Sequence, residues 1–262
     1  MAIGAEALGC YKAGLRHFRP AGGAYPIRPR PPFPTPETAI LLAISTDPHS
    51  LTVGVLSLGF LILSLGIHEA AHAWAAWRCG DSTAKDMGRM TLDPLRHIDP
   101  FMTILLPAIL YFTSGWMFGG AKPVPVNYHR LRQPARDMML VALAGPFSNF
   151  LLALLFMAIA KALAYGFGFG LDTVAVEVLT GTVRWNILIA VFNMLPIPPL
   201  DGSRVVNYLL PASMRDGFAM LERFGLILVF ILLMTRTLDP IIWPAMDSVV
   251  LVVDTLTGGN WQ

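Results

Sequence analysis

From Leu51 to Trp77 the chain carries a single formal charge, Glu69, and from Leu51 to Ile67 it carries none. About 20 apolar residues cross the hydrocarbon core of a bilayer. In lipid every backbone polar group has to be satisfied within its own segment, which leaves a helix as the form of such a stretch. Ionisable residues inside a membrane helix are rare and usually functional. Here they come as His68-Glu69-Ala70-Ala71-His72. Two His four apart share one face of a helix, about one turn from each other. Their imidazoles can reach one Zn²⁺, and Glu69 can act as general base on water held there.

The rest of the chain supports a membrane setting. Of 262 residues, 55% are hydrophobic and 14% charged, with a mean hydropathy of +0.58. Soluble domains carry about 25% charged residues. Several long apolar runs therefore imply an all-α polytopic membrane protein, with about five to six transmembrane helices. A net charge of +2 argues against a nucleic-acid partner. Two cysteines, Cys10 and Cys79, make neither a disulfide framework nor a thiolate zinc site, so any metal falls to His and carboxylate.

Residues 1–37 are basic and Pro-rich and read as a disordered extension, with no cleavable signal peptide expected. Residues 38–262 read as one membrane-embedded domain, with a core at 51–220. Helices are expected over 51–77, 138–165 and 178–195, with a C-terminal pair at 221–236 and 241–256. Arg78, Lys85, Arg89 and Arg96 mark the first loop as cytoplasmic. On the same rule the N-terminus lies outside, against its five basic residues.

Residues 101–118 are apolar but short, and the loop after them is again basic, with Lys122, Arg130, Arg132 and Arg136. With both flanks on one side, residues 101–137 suggest a membrane-embedded hairpin, a full span being the alternative. The alternation in Ala121-Lys122-Pro123-Val124-Pro125-Val126-Asn127 suits an extended segment, and its prolines restrict it to an edge or unpaired strand.

A catalytic zinc takes three protein ligands and keeps a position for water. Asp201 is the leading third ligand. It follows Pro196, Pro198 and Pro199, which rule out a regular helix, and its parity and depth match those of His68 and His72. A turn Asp before Gly202 is the plain alternative. His97 is a rival ligand or a loop residue. Asp93 and Asp99 each precede a proline and read as turn starters. His129 reads as solvated, and Asp247 lies in an apolar run near an interface.

Together, HEAAH at 68–72, AGPFSN at 144–149 and NMLPIPPLDG at 193–202 resemble the site-2 protease family of intramembrane zinc metalloproteases, in its compact bacterial branch without a PDZ domain. The resemblance covers roughly residues 51–220. It implies one zinc per chain on His68, His72 and Asp201, with Glu69 as catalytic base. It implies that Asn149 polarises the scissile carbonyl or its oxyanion. It also implies a transmembrane protein as substrate, cut near the cytoplasmic face of a bacterial plasma membrane, with the 121–127 segment pairing with the unwound substrate. A membrane metal-binding or transport protein using the same ligands is the competing class, as is a silent member that only binds transmembrane partners.

Overall fold

The computed structural model describes residues 48–105 and 120–259. The N-terminal extension and residues 106–119 of the expected hairpin lie outside the described residues. Within them the chain is helical, and no strand occurs.

The first helix, α1 (Pro48–Arg78), ends with a basic residue at the negative end of its dipole. A short helix, α2 (Thr83–Asp86), and a 3₁₀ turn at Pro94–His97 follow. A π-type turn then covers Pro100–Leu105. Helix α3 (Pro134–Lys161) starts with proline, whose missing N–H costs nothing in a first turn. The Asp137 carboxylate accepts the Gln133 N–H at 2.8 Å. A π turn extends α3 to Gly166. Next come α4 (Val174–Asn193), α5 (Asp201–Leu209), α6 (Ala212–Met220), α7 (Glu222–Met234) and α8 (Asp239–Leu256).

Among the described residues, three helices are long and apolar enough to cross a membrane: α1, α3 with its π turn, and α4. The pair α6 and α7, bent by 63°, makes a fourth if taken as one span. The sequence expectation of five to six spans is finer than this. Helix α8 has 18 residues but carries Asp239, Asp247 and Asp254. The expected helices appear with ends shifted by a few residues, while α5 and α6 were not anticipated.

Helices α3 and α4 pack side by side, with α1 lying against both. Ala153, Phe156, Met157 and Ala160 of α3 meet Val183 and Ile187 of α4, and Val229 of α7 and Val253 of α8 close the cluster. The Phe60 and Phe156 rings join α1 to α3 edge to face at 5.4 Å. The two halves of α1 differ. Leu51, Val55 and Leu58 are exposed, as a lipid-facing helix allows, whereas Ala70, Ala73 and Ala76 are buried and small enough for close helix approach. The ionisable residues sit in that buried half. At 1.5 Å per residue, His72 and His68 lie about 9 and 15 Å from the Arg78 end of α1.

Candidate metal centre

One turn of α1 brings the His68 and His72 rings together, edge to face, with centroids 4.6 Å apart. Their Nε2 atoms are 3.0 Å apart, and Asp201 Oδ2 lies 3.4 Å from each. Among the described residues these three form the group able to hold a metal.

Each ring is fixed from behind. His72 Nδ1 lies 2.7 Å from the Val141 carbonyl, which can only accept, so Nδ1 carries the hydrogen. His68 Nδ1 lies 2.6 Å from Asn149 Oδ1 and donates to it. When a ring held this way is neutral, its Nε2 is left with a lone pair. Two lone pairs and a carboxylate then converge in a buried space, and Asp201 Oδ2 has no hydrogen-bond partner. Acceptors held this close repel unless a cation or proton sits among them. Two imidazoles and a carboxylate are a donor set suited to zinc, with a fourth position left for water.

The surrounding backbone makes the approach possible. Gly145 of α3 faces the ligand pair, and a Cβ there would lie 2.6 Å from His68 Cε1 and closer still to the His72 ring. Asp201 opens α5 directly after the non-helical turn at residues 194–200. Gly202 lets that turn fold back, since a Cβ on it would meet the Leu195 carbonyl oxygen at 2.5 Å. The Ser203 hydroxyl donates to Leu200 O at 2.7 Å and ties the first turn of α5 to the loop.

Glu69 points to a different neighbour. Its Oε2 accepts the Val124 N–H at 3.0 Å, so the 120–127 segment passes beside it. That segment forms no strand, and its backbone is bound piecemeal. Lys122 N donates to His97 O at 2.8 Å, Arg89 donates to Lys122 O at 2.7 Å, and Asn127 N donates to Asp81 Oδ2 at 2.6 Å. An edge strand was one expectation here. Pro123 and Pro125 lack the N–H groups that a ladder requires.

The remaining candidates fall away from the centre. His97 is buried, with Nε2 at 3.0 Å from Thr91 O, and it is not in the ligand group. Asp93 and Asp99 accept the Leu95 and Phe101 N–H groups, as turn starters do. His129 is exposed. Sequence reasoning missed Asp81 and Arg89, which anchor the 120–127 segment, and a buried polar cluster of Ser64, Thr182 and Asn186. The signal for the cluster was an Asn in the middle of an apolar span.

The model of peptidase family M50 matches residues 56–184, a range that stops short of Asp201. The chain is 37% identical over 191 residues to the "Putative zinc metalloprotease YwhC" of Bacillus subtilis, covering 72% of this chain and 84% of that one. It is 31% identical over 188 residues to the "Putative zinc metalloprotease Rip2" of Mycolicibacterium smegmatis, covering 71% and 70%. The Rip2 protein of Mycobacterium tuberculosis is 30% identical over 190 residues, covering 71% and 70%. No solved structure matches. With a His-His-Asp centre buried among apolar helices and relatives aligned over most of their length, the chain belongs to peptidase family M50, the site-2 protease family of zinc metalloendopeptidases.

Proposed function

We propose that this membrane protein binds one zinc through His68, His72 and Asp201 and hydrolyses a peptide bond in or near a transmembrane segment of another protein. The observation that carries this reading is the convergence of three buried ligand atoms one residue from Glu69, inside a helix bundle with an apolar exterior. Zinc held there supplies Lewis acidity and activates water near neutral pH. Glu69 takes the proton of the attacking water and delivers it to the leaving amine. The Val124 N–H holds one carboxylate oxygen, leaving the other for that transfer.

Asn149 has both amide atoms engaged, Oδ1 with His68 and Nδ2 with Asn186. Asn186 takes one of the two Nδ2 hydrogens, and the second is the donor that could polarise a substrate carbonyl. The 120–127 segment, which belongs to no strand, would offer its carbonyls at Pro123 and Pro125 to an unwound substrate backbone. The basic residues of the loops at 78–100 and 120–137 support a centre that faces the cytoplasm.

The deciding experiment uses Glu69→Gln. It should keep zinc and fold while cleavage of a transmembrane substrate falls about 10²–10⁴-fold. Beside it, Asp201→Ala should lose zinc and His97→Ala should keep it. Zinc retained in Asp201→Ala and lost in His97→Ala overturns the ligand set. Metal uptake that survives Glu69→Gln, with no cleavage by the wild type, overturns the enzyme reading in favour of transport.

A further inference from the structure

The two ligand imidazoles are oriented by different kinds of partner. His72 faces a main-chain carbonyl, which has only one possible role. His68 faces an amide side chain, which can present either oxygen or nitrogen. The orientation of Asn149 therefore decides which His68 nitrogen keeps its lone pair.

A buried chain of hydrogen bonds settles that orientation. Asn149 Nδ2 donates to Asn186 Oδ1 at 3.0 Å. Asn186 Nδ2 donates to the Thr182 carbonyl at 2.9 Å and to Ser64 Oγ at 3.0 Å. Asn149, Thr182 and Asn186 are each 0% exposed and Ser64 is 1% exposed, so bulk water does not replace any of these partners. The Thr182 carbonyl can only accept. Asn186 must then turn its NH₂ toward Thr182 and its oxygen toward Asn149. Asn149 must in turn give its NH₂ to Asn186 and its oxygen to His68. Reversing either amide sets acceptor against acceptor in a buried space, which leaves polar groups unsatisfied at about 1–3 kcal/mol each.

We propose that Asn186 is a positioning residue for the metal centre. Acting from α4, which contributes no ligand, it locks the Asn149 amide so that His68 carries its hydrogen on Nδ1 and presents Nε2 to the metal. The Thr182 carbonyl is the fixed end of this relay, and Ser64 of α1 is its second acceptor. The inference rests on the reading of His68, His72 and Asp201 as the metal centre. It assigns a tautomer to one of those ligands before any metal arrives.

The test begins with the metal-free wild-type protein, labelled with ¹⁵N-histidine in detergent micelles, with the His68 signals assigned by difference against His68→Gln. The neutral His68 ring should be in its Nδ1–H form. An Nε2–H form overturns the proposal, whether or not zinc binds. Failure to bind zinc sinks the metal-centre reading but leaves this measurement intact.

A double-mutant cycle on zinc affinity, measured by chelator competition, then isolates the relay. Asn186→Leu should weaken zinc about 10-fold, at the lower end of what loss of an orienting partner costs. In Asn149→Asp both carboxylate oxygens accept, so there is no orientation left to fix. In that background Asn186→Leu should change affinity by no more than about twofold. Equal losses in the two backgrounds assign Asn186 to packing alone and overturn the relay. Should Asn186→Leu fail to fold, the tautomer of the wild-type protein decides.

Discussion

Gly145 sets how close α3 comes to the ligand pair. A methyl group there gains up to about 1 kcal/mol in helix propensity, while overpacking costs about 1–3 kcal/mol. The fold should therefore survive Gly145→Ala, with a net loss of about 2 kcal/mol at the upper end of the overpacking cost. The site should not, because the added carbon overlaps both imidazoles. Zinc affinity is expected to fall at least about 10-fold, as for lost ligand orientation, with the far-UV circular dichroism of the wild type retained. Unchanged zinc affinity sinks the view that α3 must touch the rings. His68 and His72 were legible in the sequence because helical periodicity alone puts residues i and i+4 on one face. Gly145 was not, since its role depends on how closely α3 approaches α1, and that distance is a property of packing. Asn149 was legible as a polar residue in an apolar span. Its bond to His68 Nδ1 became visible only with the register between α1 and α3.

The segment between the first loop and α3 shows how an element without regular structure is held. Asp81 is buried in the turn after α1, and its Oδ2 receives the Asn127 N–H. Burial works against the charged form of this carboxyl. The Thr83 hydroxyl, the Asn127 and Thr83 amides and the Arg130 charge outweigh burial and hold the group below the usual carboxylate range. A carboxyl lowered on folding stabilises the folded form fully above its unfolded pKa of about 3.9. That contribution is lost as pH falls through the still lower folded value. Asp81→Asn should thus increase proteolytic cutting between residues 120 and 133 at neutral pH. Wild type should approach the variant only below about pH 4, read by brief cleavage with an acid-stable protease. Equal protection of the two proteins at pH 7 speaks against the anchor. Apolar runs made α1, α3 and α4 legible, because length and hydropathy suffice for a span. Helix α5 has one apolar and one polar face and leaves no such run. The alternation at 121–127 pointed to extended backbone, and its partners, being side chains and isolated carbonyls, are invisible to any periodic pattern.

At the scale of the whole molecule, the end of the bundle away from the metal centre is closed by a buried ion pair. Lys161, at the end of α3, donates to Asp254 Oδ1 at 2.6 Å and to the carbonyls of Asp254 and Gly259 at 2.9 Å each. Both side chains are less than a tenth exposed. The pair joins the last turn of α8 to the helix that carries Gly145 and Asn149. Membership of one bundle was legible for α8 from its apolar run, but the partner of its acidic residues was not, because 93 residues separate Lys161 from Asp254. Removing one member of a buried pair costs about 3–5 kcal/mol, since the other is left charged and buried, whereas replacing both with apolar groups is often neutral. Lys161→Met should therefore lower the thermal midpoint in detergent by several degrees or more. Lys161→Met with Asp254→Leu should recover most of that loss. Val141, Gly145 and Asn149, where α3 meets the two imidazoles, lie about 18 Å or more from Lys161 along the helix, so the double variant should bind zinc with wild-type affinity. A double variant no more stable than Lys161→Met shows that the pair acts through its carbonyl contacts rather than its charge. A loss of zinc affinity in the recovered protein shows instead that α8 sets the register of α3 at the metal centre, making the bundle one mechanical unit from end to end.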